Sequence, residues 1–255
     1  MHRRQLHRFR ALPRLRGETV MHADLTATPP PSTELARALA RGLRSKAQRD
    51  YADALEHFAE AAEGGLAMAQ FHLATLYKNG QGTARDVTRA AHWFECAAAQ
   101  GHARAQASLG ILHKTGQGVT RDFARAFALL RAAVEHGHAH AQYHLGDLYA
   151  RGLGVRQNFE QAAHWFQLAA AQGNGPAQYH LGLLYHDGLG VAADSACAAH
   201  WLGLAADQGC VPAQCRIALL TRASARTDDG RSADWLRRAV DYGFVAHGAE
   251  AVFDS

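Results

Sequence analysis

Histidine is the residue type best placed to do chemistry in this chain, which holds 17 of them. His136, His138, His140 and His144 crowd one stretch. His140 and His144 stand four apart, the spacing at which two imidazoles on one helix face can share a zinc ion. Their positions argue against a metal. His72, His144 and His180 occupy one phase of a 36-residue period, and His92, His164 and His200 occupy another, each just before a Leu or a Trp. Recurrence at fixed phase marks a structural slot, so neither a metal nor a cofactor is expected.

Three other residue sets invite chemistry. The pairs Gly80/Gly82, Gly116/Gly118, Gly152/Gly154 and Gly188/Gly190 could cradle a phosphate, but no Lys-Ser/Thr follows any of them, and turns are the better reading. Trp93, Trp165, Trp201 and Trp235 could stack nucleobases, yet they sit among Ala and Leu at helical spacing, as core residues do. Cys96, Cys197, Cys210 and Cys215 match no zinc spacing and no disulfide framework, so they read as free, mostly buried thiols in a reducing compartment. No His-Glu-x-x-His, Ser-centred elbow or P-loop is present, and the expectation is that the chain is not an enzyme.

The elements behind these residues follow from the period. Gln70, Gln106, Gln142, Gln178 and Gln214 recur every 36 residues, as do Gly65, Gly101, Gly137, Gly173 and Gly209. A unit of that length suits two helices and two connections. In one unit, Ala141, Leu145, Leu148 and Tyr149 form a stripe on a first helix, with Gly146 allowing close approach of a neighbour. Gly152 and Gly154 end that helix. Asn158 caps a second helix carrying Ala162, Trp165, Phe166 and Ala169, as Asp86, Asp122 and Asp194 do in their units. Helices this short are unstable alone, so stacking must bury Leu145, Tyr149 and Trp165 in a continuous core.

The expected organisation is an N-terminal basic and Pro-rich segment without fixed structure (1–32), then a degenerate capping hairpin (33–65). Four repeats follow (66–101, 102–137, 138–173 and 174–209), then a shortened C-terminal unit (210–243) and a tail (244–255). Trp235, Ala239 and Gly243 mark that last unit, and polar, atypical terminal units are what solenoid caps look like.

Charge narrows the function. The chain carries 27 Lys and Arg against 23 Asp and Glu, but six of those arginines lie within the first twenty residues against a single Glu18. The remainder is close to neutral, which disfavours nucleic acid as a partner. Lys occurs only at 46, 78 and 114 in a chain rich in Ala and Arg, a skew typical of a high-GC bacterium. The tail holds no apolar run of the ~7–15 residues a secretory leader needs, and nothing reaches the ~18 a membrane span needs. A cytoplasmic location with no membrane partner is expected.

The string Ala177-Gln178-Tyr179-His180-Leu181-Gly182-Leu183-Leu184-Tyr185, then Gly188-Leu189-Gly190-Val191, Ala199-His200-Trp201 and Gly209, resembles the Sel1-like repeat, a relative of the tetratricopeptide repeat. Several copies cover about four-fifths of the chain. The resemblance implies an all-α fold, a right-handed α/α superhelical solenoid of helical hairpins, and the role of an adaptor or scaffold for another protein. Some relatives are secreted, cysteine-rich and credited with β-lactamase activity; paired in-phase cysteines, which that branch carries, are lacking here.

In such solenoids the first helix of each hairpin lines the concave face. The groove positions expected from that rule are His72, Thr75, Lys78, Arg104, Lys114, His140, His144, Asp147, Arg151, His180, His186 and Asp187. They vary between repeats while the Leu and Gly positions do not. Lys78, Lys114 and Arg151 would align as a cationic wall, suited to a peptide or helix of acidic character. The expected partner is a protein, with the chain itself a monomer or weak oligomer. The alternatives are an enzyme, which needs an acid–base pair in a pocket, and a helical-repeat RNA reader, which needs a basic groove.

Overall fold

The computed structural model describes residues 31–223, with side chains from 33 to 220. The described residues form helices and turns, with no strand among them. The helices run α1 (Pro31–Ala47), α2 (Tyr51–Glu63), α3 (Ala67–Asn79), α4 (Val87–Ala99), α5 (Ala103–Thr115) and α6 (Phe123–Ala133). After a short 3-10 turn (Val134–His136) come α7 (Ala139–Arg151), α8 (Phe159–Ala171), α9 (Gly175–Asp187), α10 (Ser195–Asp207) and α11 (Val211–Ala223). Odd-numbered helices are the first helices of the hairpins and even-numbered ones the second. Each helix contacts its sequence neighbours far more than any other element, the pattern of a quasi-one-dimensional stack.

Local chemistry sets the helix ends. Asp86, Asp122 and Asn158 each accept a hydrogen bond from the backbone N–H three residues on, at 2.9 Å. Asp194 does the same for Ala196 and Cys197. Gly152 stops α7 with φ of +68°, where a side chain would be strained. Gly154 presses on the backbone of α6 in the preceding hairpin, where a Cβ would collide with the Phe123 carbonyl. The Gly-x-Gly pair therefore both caps a helix and seats one hairpin on the last.

The core sits between the helix layers. Phe58, Phe94, Leu130, Phe166 and Leu202, one per second helix, are fully buried among alanines. Gly146 makes room for one of them, since a Cβ there would lie 2.8 Å from Phe166 Cδ1. Leu145 is buried as expected, but Tyr149 and Trp165 are only half-buried. Trp93, Trp165 and Trp201 sit one residue before the buried position, and Trp93 and Trp165 pack back against the core of the preceding hairpin.

A ladder of glutamines ties the hairpins together. Gln70 donates from Nε2 to the Ala62 carbonyl at the end of α2 and accepts from Gln100 after α4 at 2.8 Å. Gln178 does the same between Ala170 and Gln208. Gln70 and Gln178 thus each join the ends of two successive second helices.

One expectation shifts at the N-terminal boundary. Pro31 and Ser32 belong to α1 rather than to an irregular segment; Pro suits a helix start because the missing N–H has no partner there anyway. Residues 1–30, the tail 244–255 and the unit marked by Trp235, Ala239 and Gly243 lie outside the described residues.

Candidate partner-binding face

Charge separates by helix layer. The first helices carry ten Lys or Arg and three Asp or Glu. The second helices carry three Lys or Arg and seven Asp or Glu. Neither the period nor the near-neutral total announces this split, because opposite excesses cancel along the chain.

Four of the twelve expected groove residues, Lys114, His144, Asp147 and Arg151, converge. Lys114, from the last turn of α5, donates to Asp147 Oδ2 in α7 and lies 3.3 Å from His144 Nδ1. Arg151 Nε donates to the other Asp147 oxygen at 2.9 Å. The Asp147 side chain is only 5 % exposed. Burial alone would raise its pKa, but the Lys114 charge and hydrogen bond, followed by Arg151, more than offset it and hold the carboxyl below its ordinary value.

The histidines here are neutral packing pieces. Burial first, then the Lys114 charge, pushes His144 down to about 3. Burial likewise takes His180 to about 4. The His180 ring stacks on Phe166 with centroids 5.3 Å apart and planes at 17°. The same arrangement recurs near the N-terminus, where His72 stacks on Phe58 at 5.1 Å and meets Lys46 Nζ at 3.2 Å. His72 is held at about 4 by burial, then by Lys46.

The remaining expected residues spread along the face. His186 and Asp187 pair at 2.6 Å, with Arg216 of α11 3.8 Å from the same carboxylate. Thr75 turns its hydroxyl inward to the Phe71 carbonyl at 2.8 Å. Lys78, Arg104 and His140 are exposed, and the His140 ring meets His144 edge-on at 5.1 Å.

Of the three cations expected to align as a wall, two are engaged within the fold. Lys78 faces solvent, but Lys114 and Arg151 both turn onto Asp147 because a buried carboxylate needs them. Lys46 and Arg216 were missed. Arg216 shares the phase of His144 and His180, which is a readable signal. Among the described residues no three His, Cys, Asp or Glu side chains are grouped to hold a metal.

Antiparallel helix pairs stacked at a constant 36-residue pitch, with cations in excess on the first helices, define a tetratricopeptide-like solenoid. The family model of the Sel1 repeat matches residues 33–66, 67–102, 103–138, 139–174 and 175–210, and the chain belongs to that family. A protective antigen of uropathogenic Escherichia coli strains, displaying an SLR fold, is 30% identical with a TM-score of 0.73. That match covers 84% of this chain and 47% of the antigen, so the chain spans about half its length. A Sel1 repeat protein from Oxalobacter formigenes is also 30% identical, with a TM-score of 0.72, covering 81% of this chain and 83% of the other. No curated protein matches the chain.

Proposed function

We propose that this chain is a non-catalytic scaffold whose first-helix face holds an acidic segment of a partner protein. The observation that carries the reading is the charge split, with cations in excess on the first helices and carboxylates in excess on the second. Sel1 repeat proteins act in general as protein-interaction scaffolds, which supports the coarse role. Exposed Lys78 and Arg104 would steer an acidic segment in, while the Lys114–Asp147–Arg151 cluster keeps one net positive charge beneath it. No helix among the described residues is long and apolar enough to cross a membrane, and the reading needs no membrane.

Photo-cross-linking tests it. A benzophenone amino acid placed at Lys78 or His140 on first helices should capture the partner from a lysate of the source cell. The same group at Arg131 or Leu168 on second helices should not. Capture from the second-helix positions alone would overturn the assignment of the face.

A further inference from the structure

Among the described residues, one glutamine-to-glutamine bond of the ladder is missing. Gln100, Gln172 and Gln208 each reach back to the glutamine of their own hairpin, at 2.8, 2.7 and 2.8 Å. The residue in that phase after α6 is His136. It lies exposed at the end of the 3-10 turn, and the buried Oε1 of Gln106 is left without a hydrogen-bond partner among the described residues. An unpartnered buried acceptor costs free energy, so its retention asks what is gained there.

A pocket of about 440 Å³ opens at this place. His136 and His138 form one side, His102 and Arg104 at the start of α5 another, and Met68 and Phe71 of α3 the third. No Asp or Glu lines it, and Arg104 is exposed with no carboxylate in ion-pair contact among the described residues. His102 stacks on Phe71 at 4.8 Å and accepts from Ala105 N–H on Nδ1. Its ring proton is thereby placed on Nε2 as a donor. Met68 is 48 % exposed, a large apolar side chain left beside these donors.

We propose that this pocket seats a carboxylate side chain of the bound segment on Arg104 and the histidines, with a neighbouring apolar side chain against Met68 and Phe71. The proposal rests on the scaffold reading above and names the anchor within it. Three features point the same way: a cation without a carboxylate, imidazole donors without an acceptor, and a ladder bond given up so that His136 faces the pocket. The same residues are not grouped to bind a metal.

The test uses the full chain, histidine-ring NMR, and two probe peptides, acetyl-Leu-Glu-Glu-Leu-amide and its Gln-Gln counterpart. The Glu peptide should give saturable shifts at His102, His136 and His138, and the Gln peptide should bind about tenfold more weakly or worse. Arg104→Gln should weaken the Glu peptide by a similar factor. His136→Gln should weaken binding and raise the melting temperature together, because the restored glutamine reaches Gln106. A merely structural His136 would lose both at once, and that result would overturn the proposal. So would equal binding of the two peptides, or tighter binding of inorganic phosphate at these rings than of the Glu peptide. Shifts at His144 and His180 alone would overturn the pocket but leave the first-helix face standing; shifts confined to His164 and His200 on second helices would overturn both.

Discussion

The two helix layers do different work with similar helices. Both are built mostly of 13-residue helices, yet the second layer starts on Asp or Asn caps and contributes the large apolar plug of each hairpin junction, whereas most helices of the first end on left-handed glycines and the layer carries the excess of cations. Phe166 is 1 % exposed in a nest of alanines, whereas Asp147, at 3 %, needs two cations to be buried. The difference teaches where a repeat protein can vary. The apolar layer repeats because each plug must fit its neighbour, and the charged layer is free to differ from hairpin to hairpin wherever a side chain reaches solvent.

Five substitutions or conditions bear on that comparison. Phe166→Ala should have the largest effect, a loss of about 3–5 kcal/mol read from urea denaturation, because it empties a sealed site. Asp147→Asn should come next, at about 2–3 kcal/mol, since Lys114 and Arg151 would then face a neutral amide in a poorly hydrated place. If Asp147→Asn proved costlier than Phe166→Ala, the charged cluster and not the apolar plug would be the chief support.

Acidification probes the neutral histidines. His72 and His180, at about 4, and His144, at about 3, all sit below the ordinary 6.5. A depressed histidine pKa means the unfolded chain binds more protons between those values, so stability is full above about 6.5 and falls as pH drops toward 4. Melting temperatures at pH 7, 6, 5 and 4 should decline, and a flat profile would mean the rings are hydrated. The Asp147 carboxyl, held low, adds its own loss only at still lower pH.

The smaller effects sharpen the contrast. Asn158→Ala removes the cap of α8 and should cost about 1 kcal/mol by the same denaturation. Lys78→Ala should change stability by less than about 0.5 kcal/mol while weakening capture of the partner. A large stability loss there would show that Lys78 is part of the framework.

The architecture was legible because its cause is periodic. In-phase glycines, caps and leucines each report a helix end or a buried face, and repetition averages out the noise of any one copy. Burial of Trp165 against Phe166 was not legible. The two are adjacent, both apolar and both within the stripe, and only the stacking of the next hairpin decides which is sealed. The Lys114–Asp147 pair escaped for another reason: its partners are 33 residues apart, three off the period, so tracking equivalent positions cannot join them. Lys46 was hidden by the four-residue shorter connection after α1, which shifts it out of phase with Lys78. The expected groove positions thus fall on first helices, while the sequence left open which of their side chains face solvent.

The cross-ties between second-helix ends have a mechanical consequence. A chain stretched between two anchor points passes tension through them in series, as through a row of rivets, and a row yields at its weakest member. That member is the end of α6, where Gln106 lacks its partner from position 136 and the helix finishes in a 3-10 turn. Pulled from its ends, the array would part first at the α5–α6 hairpin, where the tie from the end of α4 to the end of α6 is missing, and a partner lying across that place would act as a splint.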